Sequence, residues 1–166
     1  ALATGYSVGM EAARSSLKIS HLERHDDGEI KREVESIYAP LYRKEGLNYK
    51  ELENKLRQIM GDYVGYMKTE KGLRTALEKL RDLENRADQM RVKNYHELMR
   101  AAEFKDLLLI GKLVAKGALA RKESRMGLSH LRGDYPNQDD KNFYGSIIIK
   151  RKSGGIDVTF RPAATN

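Results

Sequence analysis

The chain has 166 residues, of which 40% are hydrophobic and 33% charged, which is enough for one domain with a core and a heavily charged surface. It has no run of about 18 apolar residues and no signal-peptide pattern near its start, so we expect neither a membrane span nor a signal peptide. Cysteine is absent, which excludes disulfides, a cysteine nucleophile, and zinc or iron–sulfur sites built on thiolates. This composition fits a reducing compartment, and we expect a cytoplasmic protein.

The net charge of +7 raises the question of nucleic-acid binding. Lysine and arginine alternate with aspartate and glutamate through most of the chain, as on solvated helix faces. Only a C-terminal group is locally basic, namely Lys150, Arg151, Lys152 and Arg161. We therefore do not expect a nucleic-acid partner.

Residues 1–20 are rich in small side chains, which suit a helix that approaches another backbone closely. Glycine weakens a helix, so this one needs support from outside itself. His21 to Gly28 is polar and predicts a turn. The run His25, Asp26, Asp27 suggests a metal site, but a solvated turn is the better interpretation.

From Glu29 onward the apolar spacing predicts four helices. The first carries the stripe Ile30, Val34, Ile37 and Tyr38, and Pro40 is expected to interrupt it. The second begins after Asn48, with Glu51 at capping-box spacing, and ends near Gly65. Its expected buried stripe is Leu52, Leu56, Ile59, Met60 and Tyr63.

The third helix begins after Thr69, which is a suitable N-cap. Its apolar face is Leu73, Ala76, Leu77, Leu80, Leu83, Ala87 and Met90. Asn94 with Glu97 repeats the capping-box signal and starts the fourth helix, over about 95–120. This helix is apolar on nearly all sides after Leu107, so we expect it to be central. The expected core includes Leu73, Leu77, Leu80, Leu108 and Leu113.

Two short strands, Tyr144 to Arg151 and Ile156 to Arg161, are predicted to form a hairpin that packs on the helices or on a partner. The predicted fold class is mainly α, an antiparallel three- or four-helix bundle with a C-terminal β-hairpin. We divide the chain into a helix at 1–20, a bundle at 21–143, and a hairpin with its tail at 144–166.

Residues 120–143, here called the closing segment, have neither helical nor strand periodicity but many charged side chains. Catalysis is one interpretation, with His130 as general acid or base and Arg125 and Arg132 holding a carboxylate or sulfate. A hard metal ion held by His130, Asp134, Asp139 and Asp140 is a second, although the spacing matches no calcium loop. The favoured interpretation is structural, because Arg and Asp side chains can satisfy unpaired backbone groups and seal an interface with another domain.

The closing segment resembles the motif that ends the flavoprotein subunits of the succinate dehydrogenase and fumarate reductase family, which includes L-aspartate oxidase and the adenylylsulfate reductase alpha subunit. The similarity is carried by the following ordered residues: Arg121, Glu123-Ser124-Arg125, His130, Arg132, Asp134-Tyr135-Pro136, Asp139-Asp140 and Asn142-Phe143. Leu56 to Gly65 and Glu70 to Leu73 also look like the family, so that the resemblance covers about residues 30–162.

One feature departs from the succinate dehydrogenase pattern. Met126 to Ser129 stand where those enzymes usually have a shorter link, and Arg132-Gly133-Asp134 looks more like adenylylsulfate reductase. His130 and Tyr135-Pro136 look more like succinate dehydrogenase. The resemblance therefore leaves the substrate open.

The resemblance implies a C-terminal helical domain of a FAD-dependent oxidoreductase, with residues 1–20 as the end of a preceding FAD domain. It implies that the flavin and the chemistry lie outside this chain, and we assign no catalytic, cofactor-binding or metal-binding residue here. The implied partners are the FAD domain of the same protein and an iron–sulfur subunit. We expect the interface to be formed by Arg121, Arg125, His130, Arg132, Asp134, Asp139 and Asp140. The alternative is an independent helical module that binds protein or nucleic acid through the basic hairpin.

Overall fold

The computed structural model describes residues 2–19, 26–152 and 155–164. These fall into two compact units, residues 1–36 and residues 37–166. The first unit holds α1 (Leu2–Ser16), which confirms the predicted N-terminal helix, and the first part of α2 (Asp27–Tyr42). The predicted turn at His21 to Gly28 lies mostly outside the described residues; within its described end, the Gly28 amide donates to Asp26 Oδ1 at 3.0 Å.

The sequence predicted that Pro40 interrupts its helix, but this is wrong. Helix α2 continues through it to Tyr42, and Pro40 is itself buried. Its carbonyl accepts a hydrogen bond from the Val92 amide at 3.0 Å, so tertiary contacts support a residue that is unfavourable inside an isolated helix. The predicted apolar stripe of α2 is exposed, with Ile30 at 51% and Ile37 at 46%.

Three helices of the second unit pack on one another, namely α3 (Tyr49–Val64), α4 (Glu70–Ala87) and α5 (Tyr95–Ala120). Each begins at a residue predicted from sequence to be its N-cap. The side chains of Asn48, Thr69 and Asn94 accept from the backbone amides of Lys50, Gly72 and Glu97. These bonds satisfy amides that have no partner inside the helix.

The core lies between these three helices. Leu73, Leu80 and Leu108 are at most 3% exposed, as predicted, and Leu77 is partly buried against them. Leu113 is not part of this core; it is half-buried and faces Ile149 of the hairpin. The remaining predicted stripes agree well, because the buried residues of α3 and α4 include Leu52, Leu56, Ala76, Leu83 and Ala87.

Short parallel strand pairs, which the sequence analysis did not predict, fix the direction of the helices. Strand β1 (Leu47–Asn48), before α3, pairs with β3 (Met90–Arg91), before α5. Strand β2 (Met67–Lys68), before α4, pairs with β4 (Leu131–Arg132), after α5. Helices α3 and α5 therefore start at one end of the bundle, and α4 starts at the other.

Helix α5 is central, as predicted, because it packs on α3, α4 and both strands of the hairpin, but one of its apolar faces is exposed. Gly111 faces α3, where a β-carbon would lie 3.1 Å from Met60 Sδ, while Leu107, Ile110 and Val114 are exposed. The hairpin of β5 (Gly145–Lys152) and β6 (Gly155–Pro162) confirms the predicted strands and packs on α5 near Gly117. Among the described residues, none of the helices is long and apolar enough to span a bilayer.

Candidate functional site

The closing segment runs from the end of α5 to the start of the hairpin. It contains a single 3₁₀ turn (Gly127–Ser129), the strand β4, and the short helix α6 (Asp140–Phe143). Two charged side chains of the segment, Glu123 and Arg132, are fully buried. Buried charges are costly unless ion pairs and hydrogen bonds compensate them, so their partners determine what the segment can do.

Arg132 uses its guanidinium to join three parts of the chain. Nε and Nη2 donate to the two carboxylate oxygens of Asp134, both at 2.8 Å. Nη1 donates to the carbonyl oxygens of Ala118 at 2.7 Å and Arg121 at 3.1 Å, which lie at the end of α5. Asp134 Oδ2 also accepts from the Glu70 amide at 2.6 Å, which ties the segment to the start of α4.

These contacts change the protonation of Asp134. The hydrogen bonds from Arg132 favour the charged carboxylate and lower the pKa of Asp134 to about 2, against a smaller opposite effect of burial. The guanidinium of Arg132 also lies 5.0 Å from the centre of the Tyr135 ring. Arg132 and Asp134 therefore form a permanent ion pair at neutral pH.

Glu123 accepts hydrogen bonds from three directions. Arg125 Nε and Nη2 donate to Oε1 and Oε2 at 2.7 and 2.9 Å, the Asp139 amide donates to Oε2 at 2.9 Å, and Arg121 donates to Oε1. Burial by itself would raise the pKa of Glu123, but these bonds outweigh it and lower the pKa to about 2. Glu123 is thus ionised and holds the two ends of the segment together.

Arg121 connects the segment to the hairpin. Its Nη1 donates to the Phe143 carbonyl at 3.0 Å and its Nη2 to the Gly145 carbonyl at 2.7 Å. A β-carbon at Gly145 would lie 2.2 Å from the Arg161 carbonyl oxygen, so the first residue of β5 has no room for a side chain. Arg121 therefore fixes where the hairpin begins.

The residues that depart from the succinate dehydrogenase pattern form a tight loop. The Arg125 amide donates to the His130 carbonyl at 2.9 Å, so the residues between them project as a turn in which Met126 has a φ of 58°. His130 Nε2 donates to the Arg121 carbonyl at 3.1 Å. Burial lowers the pKa of His130; the bond to the Arg121 carbonyl raises it, and the charges of Lys68, Arg132 and Arg121 lower it further.

The last two predicted site residues organise α6. Asp139 accepts from the backbone amide and the side-chain amide of Asn142 and caps this helix. Asp140 accepts from Arg125 at 2.6 Å and from the Gln138 side chain. The structure therefore brings the seven predicted site residues into one connected network.

The sequence analysis did not include Glu123 among the seven predicted site residues, and it did not indicate Lys68. Glu123 stands in sequence between Arg121 and Arg125, and an acid flanked by arginines is a signal that could have placed it in the network. Lys68 lies in β2, far from the closing segment in sequence, and only the parallel pairing with β4 brings it near Arg132. No local pattern indicates such a contact.

The geometry favours the structural interpretation over the other two. Arg125 and Arg132, the candidates for holding a substrate anion, already bind carboxylates of the segment. In the parts of the chain that the structure describes, no three His, Asp or Glu side chains converge as metal ligands. The basic residues of the hairpin are exposed, and Lys152 pairs with Asp157 at 3.0 Å.

Comparison with known proteins identifies a family that contains this domain. A family model described as fumarate reductase flavoprotein C-term matches residues 53–166. An uncharacterized FAD-dependent oxidoreductase of Methanocaldococcus jannaschii is 37% identical over 155 residues, which are 92% of this chain and 28% of that protein. The fumarate reductase flavoprotein subunit of Helicobacter pylori is 32% identical over 113 residues, which are 65% of this chain and 16% of the subunit.

Adenylylsulfate reductase from Archaeoglobus fulgidus has the same fold, with a TM-score of 0.86 at 23% identity, over 93% of this chain and 27% of that one. The chain thus spans less than a third of the length of each of these three proteins. The family match holds most of α3, all of α4 and α5, the closing segment and the hairpin. The chain belongs to the family of fumarate reductase flavoprotein C-terminal domains.

Proposed function

We propose that this chain is the C-terminal helical domain of a FAD-dependent oxidoreductase, and that the FAD and the reacting groups belong to a preceding domain of the same protein. Two findings support the proposal: the family match, and a FAD-dependent relative of whose length this chain covers only 28%. Residues 1–20 would then form the end of the FAD domain, followed by the bundle and the hairpin. The observation that supports it best is that the buried charges of the closing segment, Glu123 and Arg132, bind carboxylates and arginines of the same segment, so that Arg125 and Arg132 are not free for a substrate.

In this proposal the closing segment is a rigid surface that packs against the FAD domain. Its interior is set by Arg132 and Glu123, which are fully buried. Its outer members are more accessible, with the Asp134 side chain 28% exposed and that of Asp140 58% exposed. Arg121, Arg125, His130 and Asp139 hold these outer groups in position through the bonds described above.

We also propose an iron–sulfur subunit as a second partner. Several relatives are named as flavoprotein subunits, which implies assembly with other chains. The family resemblance indicates an iron–sulfur protein as the chain that exchanges electrons with the flavin. Co-purification from the native source, followed by iron and labile-sulfide analysis, tests this partner; a purified assembly with flavin but without iron would contradict it.

The central test is the complete reading frame that contains this chain, expressed with and without Arg132→Ala. We expect the unaltered protein to contain FAD. We expect the variant to lose thermal stability or FAD content before its chemical step slows, because the contacts of Arg132 in the described residues are all with the bundle and the closing segment. Flavin absorbance, thermal unfolding and single-turnover flavin reduction separate these effects. Arg81→Ala, at an exposed position of α4, is the control.

Two results would contradict the proposal. The first is a reading frame in which no flavin-binding domain precedes this chain, because the proposal requires such a domain. If Arg132→Ala instead leaves stability, assembly and flavin content intact but abolishes flavin reduction, the closing segment reaches the substrate and the structural role is wrong.

A further inference from the structure

Lys68 is a largely buried residue whose ammonium group remains accessible and has no counter-ion among the described residues. It is 7% exposed, and neither an ion pair nor a hydrogen bond of its ammonium group is found in the described part of the chain. The neighbouring arginines Arg121, Arg125 and Arg132 are matched by Glu123, Asp140 and Asp134. Lys68 is the positive charge that remains.

Its surroundings make this charge costly. Burial lowers the pKa of Lys68, and the charge of Arg132 lowers it further. Both effects disfavour the charged ammonium, and an added carboxylate would reverse them. An accessible ammonium that has no counter-ion and lies near another cation is a favourable partner for a carboxylate supplied from outside.

The ammonium belongs to an open groove between α5 and β5, with a volume of about 420 Å³. Lys68, His130 and Ser129 line its polar end. Val114, Ile147 and Ile149 are among the residues that line its apolar part. Arg121 also lines the groove but is paired with Glu123, so Lys68 is the cation there that has no counter-ion. The groove therefore combines an unpaired cation with an apolar wall and suits an apolar group that carries a carboxylate.

An apolar stripe on α5 extends this groove along the helix. Leu107, Ile110 and Val114 are 44%, 54% and 47% exposed, and their spacing of three and four residues places them on one face. Val114 belongs to both the stripe and the groove, so that the two form one surface. A small carboxylate would cover only its end, whereas a polypeptide segment would cover all of it.

We propose that this groove receives an acidic, otherwise apolar segment of a protein partner, whose aspartate or glutamate carboxylate pairs with Lys68 while its apolar side chains cover Leu107, Ile110 and Val114. The ion pair gives the position of the segment, and the stripe gives it contact area. The proposal goes beyond the function proposed above, because it assigns a binding site to this chain and names the chemistry of the segment that the site receives.

The test uses the purified chain and two short acetylated and amidated peptides of leucine, alanine and serine, identical except for a central aspartate or asparagine. Titration is followed by the NMR shifts of the backbone amides of Lys68, Val114 and Ile147. We expect the aspartate peptide to bind at least about ten-fold more tightly than the asparagine peptide, since a charge-assisted hydrogen bond forms only with the former.

Variants assign the difference to Lys68. Lys68→Met keeps the length of the side chain and removes its charge, so both peptides should bind it with the affinity of the asparagine peptide. Lys68→Arg should restore the preference. Lys141→Met, at an exposed lysine of α6, should change nothing. Removing an unpaired buried charge does not threaten folding, so Lys68→Met should unfold at the same temperature as the original chain or above it.

Three results would overturn the proposal: equal affinity for the two peptides, no saturable shift with either, or acetate alone binding as tightly as the aspartate peptide. The last would identify a site for small anions and not for a protein segment. No FAD domain is present in this experiment. None of these outcomes therefore bears on the proposed function, which has a separate test.

Discussion

Arg132 and Glu123 illustrate how a charged side chain is accommodated at zero exposure. Arg132 points two donors at one carboxylate and a third at two backbone carbonyls, a geometry that the planar guanidinium provides and a lysine ammonium does not. Glu123 does the reverse and collects donors from two arginines and one backbone amide. The two residues stabilise the closing segment because neither leaves a polar atom without a partner.

Arg132→Met tests this at the residue scale. The substitution leaves Asp134 and the carbonyls of Ala118 and Arg121 without their donors, so we expect the free energy of unfolding to fall by about 3 kcal/mol. Arg74→Met removes an exposed pair with Glu70 and should cost at most about 1 kcal/mol. Urea unfolding at neutral pH measures both. Equal losses would mean that burial of Arg132 does not matter.

The depressed pKa of Glu123 predicts an effect of pH. Because its pKa falls from 4.5 to about 2 on folding, its contribution to stability is complete above pH 4.5 and is lost as the pH falls toward 2. Glu123→Gln should therefore be less stable at pH 7, yet lose less stability between pH 5 and pH 3 than the original chain. Denaturant midpoints at these pH values measure the difference.

The exposed Glu35 offers the matched control for this experiment. Glu35→Gln should follow the original chain across the whole pH range. If Glu123→Gln does so as well, the carboxylate of Glu123 is not stabilised by folding in the way its contacts indicate.

At this scale the sequence was informative only in part. It indicated the seven charged residues because they cluster in a segment without periodicity, and the structure joins them in one network. It did not indicate which of them would be buried, because an arginine has the same identity whether it faces water or a carbonyl. The position of Lys68 beside the network could not be predicted, because it pairs with a strand about sixty residues away in sequence.

At the scale of elements, the helices α3 to α5 follow from local signals. Asn48, Thr69 and Asn94 begin them through side-chain bonds to backbone amides, as their positions predicted. Features that depend on distant residues were not predicted, among them the continuation of α2 through Pro40 and the parallel strand pairs. The apolar content of α5 predicted burial, but no local signal says whether another element covers a given face.

Core substitutions test the assignment of faces. Leu80→Ala and Leu108→Ala remove side chains that are 0% and 3% exposed, and each should cost about 2–5 kcal/mol. Ile110→Ala, on the exposed stripe of the same helix as Leu108, should cost no more than about 0.5 kcal/mol. Thermal or urea unfolding distinguishes them. A small loss at Leu108 together with a large loss at Ile110 would reverse the faces of α5.

The N-cap of α5 can be tested by itself. Asn94 accepts from the Glu97 amide at 3.0 Å, and Asn94→Ala should lower the free energy of unfolding by about 1 kcal/mol. Asn94→Asp keeps the acceptor and should be nearly neutral. Equal effects of the two substitutions would show that the cap contributes nothing.

For the whole molecule, the family is established, whereas the FAD-dependent activity and the preceding FAD domain are what we propose. The sequence has no glycine-rich dinucleotide loop between a strand and a helix, which is the arrangement that binds the pyrophosphate of FAD. We therefore expect the isolated chain to show no saturable change in FAD fluorescence up to micromolar concentrations. Saturable quenching in this range would mean that the flavin site includes this domain.

The pairing of β2 with β4 has a consequence for the order in which the chain folds during synthesis. Asp134 accepts from the Glu70 amide across 64 residues of sequence, so this bond can form only after α4, α5 and most of the closing segment have left the ribosome. Until then the first turn of α4 lacks one acceptor, Arg132 and Glu123 are absent, and the end of α5 has unbonded carbonyls. We therefore expect the helices to come together before the closing segment is added, and a chain paused before Arg132 to be cut by proteases more readily than one that has passed Asp134.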